Sequence, residues 1–281
     1  MKADLSLPSP AKLNLFLHIT GRRANGYHDL QTLFQLLDYG DTLHFTARPD
    51  HQIILECNRT SLATEDNLIY RAVRMLQDYC GLQSGIQIYC QKVLPIGGGL
   101  GGGSSNAATT ILALNKLWDL QLSPAKMAEL GQQLGADVPV FIHGQTAWAE
   151  GIGERLTPVE MPPNWYLVIA PNCTVSTAAI FRHPDLTRDT HPIKIRAFLD
   201  QGGHNDCQPI AEKLFPEVQE VRQWLERFST AKMTGTGACV FSQFESRQQC
   251  EQVYRSVPSH WHCFMAQGVN QSPALRALIA E

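Results

Sequence analysis

Six glycines between residues 97 and 103, interrupted only by Leu100, constrain this chain more than any other feature of its sequence. They stand in the segment PIGGGLGGGSSNAATTILALNKLW, where a predicted strand leads into the loop and an alanine-rich helix follows. Glycine adopts backbone angles that turn successive N–H groups inward around an anion. The helix, which we expect to begin near Asn106, adds its positive dipole end at the same point. The segment therefore predicts a phosphate-binding loop.

A linker, a Rossmann domain and a P-loop each fit the glycines less well. A flexible glycine-serine linker would not be bracketed so tightly by strand and helix patterns. Gly97, Gly99 and Gly102 match the dinucleotide fingerprint G-x-G-x-x-G, but the loop does not follow the first strand and Asp119 follows a helix. No G-K-[ST] follows the glycines, and the H-R-D and D-F-G signatures of protein kinases are missing. These observations argue against a Rossmann domain, a P-loop and a protein-kinase fold.

Composition bounds the partners of the chain. Its 281 residues are 44% hydrophobic and 17% charged, which predicts a packed core in one large domain or, as we prefer, two moderate ones. A formal net charge of −3 gives no general attraction to nucleic acid or anionic lipid. No feature indicates an obligate protein partner. We therefore expect a small-molecule substrate, with no nucleic-acid or membrane partner.

Cysteine usage and hydropathy indicate the compartment. The eight cysteines form no C-x-x-C pair, which disfavours a zinc site or a dithiol centre and predicts buried, reduced thiols. No run of about 18 apolar residues would span a membrane, and the start of the chain lacks the apolar stretch of a signal peptide. The expected location is the cytoplasm.

Residues 11–19 alternate in the manner of a half-buried strand, which places Lys12 and Asn14 on one face. Asn25-Gly26 is a tight-turn signal, and Tyr27 and His28 follow it directly. Lys12 and Asn14 can thus reach a common ligand, and side chains after the turn can project towards one.

Strands and helices alternate along the remaining chain. We predict strands at 31–45 and 86–93 and a glycine-broken strand at 233–244; the predicted helices are a capped one after Asn67 and further ones at 124–134, 215–228 and 246–256. Pro162 and Pro163 mark a candidate domain boundary. This order predicts a layered α/β or α+β architecture.

Three segments together carry a family resemblance: PSPAKLNLFL at 8–17, LPIGGGLGGGSSNAA at 94–108 and MTGTGACVF at 233–241. In order and spacing they resemble the motifs of the galactokinase, homoserine kinase, mevalonate kinase and phosphomevalonate kinase superfamily, the GHMP kinases. Within it, 10–41 and 134–154 are similar to the branch that phosphorylates a cytidine-diphosphate-bearing methylerythritol in the non-mevalonate isoprenoid route. The similarity covers nearly the whole chain but weakens at 186–204, where we assign no residue.

The resemblance implies an α+β, two-domain GHMP-kinase-like fold with the active site in the cleft between domains. Residues 1–160 would form an N-terminal ATP-binding domain that carries the glycine-rich loop, and residues 161–281 a C-terminal substrate-side domain. The implied reaction transfers the γ-phosphate of ATP to the 2-hydroxyl of the methylerythritol unit.

Lys12 and Asp137 stand at the catalytic lysine and aspartate positions of the family. Lys12 can reach a phosphate, and Asp137, beside Val138-Pro139, can accept the hydroxyl proton as a base. Taken alone, Lys12 is typical of an exposed strand lysine and Asp137 of a turn or helix-cap carboxylate. The family context reverses that preference.

ATP is the expected cosubstrate, and the residues expected to bind it fall in three groups. The loop contributes Pro95, Ile96, Gly97, Gly98, Gly99, Leu100, Gly101, Gly102, Gly103, Ser104 and Ser105. Lys92, Asn67 and Leu68 are expected to border the adenine, although a helix cap explains Asn67 equally. Magnesium is expected with ATP, but no acidic cluster has ligand geometry, so its ligands are left unassigned beyond noting Ser105.

The expected substrate-binding residues are Asn14, Tyr27, His28, Thr177 and Phe181. Tyr27 and His28 can stack on a pyrimidine and hydrogen-bond to it. The alternative is that they are ordinary hairpin residues with no role in binding. Packing explains Phe181 almost as well as binding does. Near the third motif, Gly235 and Gly237 allow close backbone approach and are expected to brace the loop or the substrate diphosphate, unless they form a β-bulge.

Two other functions remain open at this point. A sister small-molecule kinase would keep the loop without needing Tyr27 and His28. A noncatalytic nucleotide-binding protein derived from such a kinase would bind ATP without turnover, but retention of Lys12 and Asp137 argues against it.

Overall fold

A long antiparallel pair of strands at the start of the chain organises the fold. The computed structural model describes residues 3–24, 26–62 and 64–280, so Asn25 of the expected turn lies outside the described residues. In chain order the strands are β1 (Leu5–Arg22), β2 (His28–Arg48), β3 (Ile53–Cys57), β4 (Gly85–Gln91), β5 (Ala147–Gly151), β6 (Arg155–Pro158), β7 (Trp165–Ala170), β8 (Ala231–Met233), β9 (Val240–Phe244) and β10 (His262–Val269). The helices are α1 (Leu68–Cys80), α2 (Gly102–Leu117), α3 (Pro124–Gln132), α4 (Val138–His143), α5 (Thr177–Arg182), α6 (Ile195–Gln201), α7 (Gln208–Leu214), α8 (Pro216–Leu225), α9 (Arg247–Tyr254) and α10 (Pro273–Ala280).

Strand β2 joins most of the sheet. It pairs with β1, β4 and β5, and β10 pairs with it at Leu36 and Leu37. Because β10 also pairs with β7, the path β3-β4-β2-β10-β7-β9-β8 runs without a break through a 10-stranded sheet. The two halves of the chain therefore share one hydrogen-bonded framework.

In the part of the chain that the structure describes, the hydrophobic core falls into three clusters. The first packs α1 to α4 against the sheet of the N-terminal half, and Leu275 and Leu278 of α10 return to pack against it. The second lies between β7 to β9 and helices of the C-terminal half, and it takes in Leu17 and Ile19 of β1. The third lies between them and contains Leu13, with other residues of β1, β7 and β9. Strand β1 thus contributes to the core in both halves.

Strand β1 is more deeply buried than its alternating sequence predicts. Every residue from 9 to 19 is buried, including Lys12 at 3% exposure and Asn14 at 4%. The prediction of a half-buried strand is wrong because chain from elsewhere covers it. The Lys12 N–H donates to the Leu100 carbonyl over 3.0 Å, and the Leu17 N–H donates to the His204 carbonyl over 2.9 Å.

Two further predictions need correction. Helix α2 begins at Gly102 rather than near Asn106, because Gly101 takes a left-handed φ of 70° as N-cap and the Ser105 N–H already donates to its carbonyl over 2.8 Å. The predicted broken strand at 233–244 is a hairpin, in which Met233 pairs with Val240 across a turn that contains both glycines. These glycines therefore form a turn rather than a β-bulge.

Helices α1 and α9 begin where the sequence patterns predict. Asn67 caps α1, and Ser246 caps α9. All eight thiols are free, and five of them are buried while Cys80, Cys173 and Cys263 are partly exposed. Across the described ranges, no helix combines the length and the apolar character that a bilayer crossing needs.

Candidate active site

The glycine-rich loop and the start of α2 have a geometry suited to binding an anion. Gly97, Gly99 and Gly101 all have left-handed φ angles, of 68°, 73° and 70°, which side chains rarely adopt. The first turn of α2 then presents the N–H groups of residues 102–104, which have no carbonyl partner within the helix. These donors and the positive end of the helix dipole favour a polyphosphate at this point.

The hairpin turn between β8 and β9 fixes the shape of the loop. The Ala238 N–H donates to the Gly97 carbonyl and the Cys239 N–H to the Gly98 carbonyl, each over 3.2 Å. A Cβ atom at Gly99 would lie 2.1 Å from the Thr234 carbonyl oxygen. The two backbones therefore pack so closely that only glycine fits at this position.

Lys12 and Asp137 meet beside this loop. The Lys12 Nζ lies 3.3 Å from Asp137 Oδ2, and it donates to Asn14 Oδ1 over 2.5 Å and to the Gly99 carbonyl over 2.9 Å. Lys12 is 3% exposed, whereas the Asp137 side chain is 33% exposed. Because an ammonium is stable in the interior only when it is paired, these contacts hold it in one place.

Asp137 occupies the N-cap position of α4 but makes no capping hydrogen bond. Its carboxylate instead pairs with Lys12 and remains partly exposed to solvent. The geometry therefore excludes a helix-cap role for this side chain.

Asn14 connects the Lys12–Asp137 pair to β2 and to the turn between β8 and β9. Its Nδ2 donates to Thr32 Oγ1 over 3.0 Å, and its backbone N–H donates to Thr234 Oγ1 over 3.0 Å. The Thr234 hydroxyl in turn donates to the Gly99 carbonyl over 3.1 Å. β1, the loop and the hairpin turn thus form one hydrogen-bonded unit.

A buried polar network supports the loop from below. Lys92 Nζ lies 2.5 Å from Asp41 Oδ2 and 3.1 Å from Asn106 Oδ1. Asn106 Nδ2 donates to Ser9 Oγ, and the Ser9 hydroxyl donates to Ser105 Oγ, each over 2.9 Å. Two residues predicted to bind ATP, Lys92 and Ser105, thus point into this network, with Ser105 fully buried.

Sequence reasoning missed Asp41. It is 1% exposed and also accepts the backbone N–H groups of Val93 and Leu94, at 2.8 and 2.9 Å. The sequence signal for it was only a carboxylate within a predicted strand, which usually points to solvent.

The N-terminus of α1 lies near the end of the loop. A Cβ atom at Gly103 would lie 3.5 Å from Leu68 Cδ1. The Asn67 side-chain amide already has hydrogen-bond partners within the protein. Its Oδ1 accepts from the Ile69 N–H over 2.9 Å, and its Nδ2 donates to the Leu62 carbonyl over 2.7 Å. Pro95 is half-buried and Ile96 is 51% exposed at the start of the loop.

The predicted base-binding residues form a second group. The His28 ring stacks on the Phe181 ring, with centroids 5.2 Å apart and planes 21° apart. Tyr27 is 60% exposed next to it. The Thr177 hydroxyl lies 2.9 Å from the Thr236 hydroxyl, which joins α5 to the turn that braces the loop. The predicted residues are therefore brought together, except that Lys92, Ser105 and Asn67 face away into structural contacts.

His28 has a partner that sequence reasoning missed. Arg188 Nε donates to His28 Nε2 over 3.1 Å. Burial first, and then the charges of Arg188 and Arg22, hold the pKa of His28 below its usual value. The sequence signal for Arg188 was only its charge, in a stretch where the family resemblance weakens.

A metal cluster is not found in the part of the chain that the structure describes. None of its groups of three or more histidine, cysteine, aspartate or glutamate side chains could hold a metal ion.

Comparisons with known proteins agree with this geometry. Residues 67–145 match the family model for the GHMP kinases N terminal domain, and residues 187–263 match the one for the GHMP kinases C terminal. A 4-diphosphocytidyl-2-C-methyl-D-erythritol kinase of Pseudomonas paraeruginosa is 52% identical over 278 residues, 99% of this chain and 99% of its own. One from Chromohalobacter salexigens is 52% identical over 98% of this chain and 94% of its own.

A solved structure is similar as well. The crystal structure of a 4-(cytidine 5'-diphospho)-2C-methyl-D-erythritol kinase superposes with a TM-score of 0.81 at 31% identity, over 94% of this chain and 100% of that one.

Proposed function

This chain belongs to the 4-diphosphocytidyl-2-C-methyl-D-erythritol kinases within the GHMP kinases, and on that basis we propose how its residues carry out the reaction. The enzyme transfers the γ-phosphate of ATP to the 2-hydroxyl of its substrate in the non-mevalonate route to isoprenoid precursors. A bond forms from the substrate oxygen to phosphorus, the bond from phosphorus to the ADP oxygen breaks, and the hydroxyl proton passes to a base. The observation that carries the assignment is the Lys12–Asp137 pair beside the loop.

The loop from 95 to 105 is the proposed binding site for the phosphates of ATP. Its left-handed glycines and the first turn of α2 supply N–H donors to the phosphates. Lys92 and Ser105 act from below, by holding that turn against Asp41 and Ser9. Asn67 and Leu68 keep the end of α1 beside the loop as a wall for the adenine.

Asp137 is the proposed general base. Its partly exposed carboxylate can accept the proton of a substrate hydroxyl that approaches from the solvent side. Lys12 holds it through the 3.3 Å contact, and the rigid partners of Lys12 fix the direction of the carboxylate. We propose that this orientation is the first role of Lys12.

Charge stabilisation is the second proposed role of Lys12. Its ammonium donates a hydrogen bond to the Gly99 carbonyl and therefore lies at the edge of the proposed phosphate-binding loop. Negative charge spreads over the oxygens of the transferred phosphoryl group in the transition state, and a fixed ammonium in a water-poor site stabilises that charge strongly. The burial of Lys12 is consistent with this function.

Tyr27, His28 and Phe181 form the proposed cytidine pocket, with Thr177 and Asn14 towards the sugar and diphosphate. Aromatic rings bind a base by stacking on its face, while a ring nitrogen of His28 can hydrogen-bond to its edge. The Thr177–Thr236 contact places these groups next to the loop, so one extended substrate can span both.

Magnesium is the proposed companion of ATP. It would neutralise charge on the transferred phosphate. Magnesium commonly keeps several waters and is bound through phosphate oxygens with one or two carboxylates. Buried Ser105, whose hydroxyl oxygen accepts from Ser9, does not fit such a site, and we assign no side chain to the metal.

We propose a domain division at residue 160, with ATP on 1–160 and the substrate side on 161–281. The two family matches fall on either side of that point. We also propose the cytoplasm as the compartment, since all eight cysteines are free thiols, which persist under reducing conditions. A cytidine-diphosphate metabolite is the proposed partner, and nothing in the net charge of −3 favours nucleic acid.

The test is ATP consumption by the purified protein with magnesium and 4-diphosphocytidyl-2-C-methyl-D-erythritol, run beside homoserine, mevalonate and galactose. We expect turnover with the cytidine substrate alone. Turnover with another alcohol would overturn the substrate, and ATP binding without turnover on any of them would favour a noncatalytic protein.

A further inference from the structure

Arg188 lies in the stretch between α5 and α6 and bridges two walls of the base pocket. Its Nε donates to His28 Nε2 over 3.1 Å, and its Nη2 donates to the Phe181 and His183 carbonyls over 3.1 and 2.8 Å. Its Nη1 donates to the Leu186 carbonyl over 3.0 Å. One side chain therefore fixes both the His28 ring and the backbone that carries its stacking partner Phe181.

The direction of the Arg188–His28 hydrogen bond decides where the histidine proton lies. A guanidinium has only donors and does not deprotonate in proteins. His28 Nε2 must therefore be the acceptor, and the neutral ring carries its proton on Nδ1. Burial and the charges of Arg188 and Arg22, the charged groups that act on this ring, keep the pKa of His28 low and the ring neutral.

We propose that Arg188 is a specificity residue, which acts by locking His28 in the tautomer whose Nδ1–H donates to N3 of a cytosine base. This rests on the proposed cytidine pocket. N3 of cytosine is an acceptor, whereas N3 of uracil carries a hydrogen and would meet the same donor without forming a bond. A histidine free to exchange tautomers would accept from uracil N3–H equally well. Arg188 thus selects cytosine over uracil without touching the base.

The tautomer can be read in the intact protein. Nitrogen-15 spectra of the wild type with labelled histidine, with the His28 signals assigned by their loss in His28→Gln, should show a protonated Nδ1 and a bare Nε2 near pH 7.5. A proton on Nε2 would overturn the proposal. This measurement does not depend on substrate or on turnover.

Selectivity is tested with two substrates, the cytidine compound and the same molecule with uracil in place of cytosine. For the wild type we expect a ratio of kcat/KM values that favours cytosine and stays constant from pH 5.5 to 8. Arg188→Met should lower that ratio at least about tenfold at pH 8, because His28 can then accept from uracil. The ratio should recover towards pH 5.5, since loss of the arginine charge lets the pKa of His28 rise and the protonated ring donates from Nδ1 again.

Arg22→Met is the matched control. It also removes a positive charge that lowers the pKa of His28, but it leaves the bond to Nε2 in place. Its ratio at pH 8 should equal that of the wild type. An equal loss on both substrates in Arg188→Met, with the ratio unchanged at every pH, would show a merely structural arginine and overturn the proposal. A wild type that is inactive on the cytidine compound would refute the proposed function and the base selection with it, while the nitrogen-15 spectra would still decide the tautomer.

Discussion

Tyr27 is 60% exposed and belongs to the proposed cytidine pocket. Base–aromatic stacking contributes roughly 1–3 kcal/mol, so Tyr27→Ala should raise the KM for the cytidine substrate about tenfold or more. The KM for ATP should change little, because Tyr27 is not among the residues proposed to bind ATP. Steady-state kinetics with each substrate varied in turn provide the measurement.

Tyr79→Ala is the control for the Tyr27 variant. Tyr79 is 50% exposed on α1 and lies under Lys126, in a part of the chain with no proposed substrate contact. It should leave both KM values unchanged. Equal increases of the two KM values in Tyr27→Ala would point to general misfolding and against a base contact.

His18 gives the molecule a pH dependence of stability. It is 4% exposed, and neither ring nitrogen has a hydrogen-bond partner among the residues that the structure describes. Burial first, then the charge of His204, lower the pKa of His18, against an opposing effect of Asp206. The unfolded chain thus binds a proton more readily than the folded protein, so stability falls as pH drops below the unfolded value of about 6.5.

The measurement is urea unfolding of the wild type and His18→Phe at pH 7.5 and 5.5. The variant should lose less stability between the two pH values than the wild type loses. An identical loss in both proteins would remove His18 from this role.

Single residues were predictable where a local pattern and a family motif agreed. Lys12 and Asn14 were assigned to one strand face, and their side chains bond to each other. Arg188 and Asp41 could not be found in this way, because their roles depend on contacts with residues 160 and 51 positions away in the chain. When distant segments of the chain bury a charged side chain, the sequence around that residue does not indicate it.

At the scale of elements, the loop and the hairpin turn act as one unit. Gly99→Ala would place Cβ 2.1 Å from the Thr234 carbonyl oxygen at a φ of 73°. We expect the loop to shift, with at least about tenfold weaker ATP binding and a lower melting temperature, since a strained residue of this kind costs roughly 1–3 kcal/mol. Calorimetric titration with ATP and thermal unfolding measure the two effects.

Gly21→Ala is the matched control for the loop. The nearest atom to its added Cβ would be 3.7 Å away, in Asp29, and its φ lies outside the left-handed region. ATP affinity should equal that of the wild type. A normal ATP affinity in Gly99→Ala would contradict the role given to the loop geometry.

Periodicity predicted several elements, including α1 with its cap and α8, but it missed the start of α2 and gave no signal for short elements such as α4 to α7. Glycine has a low helix propensity, so Gly102 and Gly103 were expected to lie in the loop. The N-cap geometry of Gly101 and the network beneath the first turn override that preference. The hairpin at 233–240 was missed because two short strands resemble one interrupted strand.

At the scale of the whole molecule, α10 closes the N-terminal core. Leu275 lies against Gly144, and the Leu278 carbonyl accepts from Lys116 Nζ over 3.0 Å. A chain that ends at residue 272 should be less stable by about 2 kcal/mol or more, because it loses buried Ala274 and the partly buried Leu275 and Leu278. Chemical denaturation measures this change.

Ile279→Ala is the control for the truncation, since Ile279 is 79% exposed and its loss should leave stability unchanged. A truncated chain as stable as the wild type would show that α10 is dispensable for the core.

The two-domain α+β prediction came from motif order, and the GHMP kinase fold confirms it. Motif order could not show that β10 carries the sheet from one half into the other, or that the last helix returns to the first half. Those contacts join residues more than 130 positions apart, for which a single sequence holds no pattern.

The most direct test of the account is the Asp137→Ala enzyme, measured for ATP binding and for turnover with the cytidine substrate. Removal of a general base acts on the transition state, so we predict ATP affinity within about threefold of the wild type and a kcat lower by roughly 10²–10⁴-fold. A kcat close to that of the wild type would contradict the catalytic role of the Lys12–Asp137 pair.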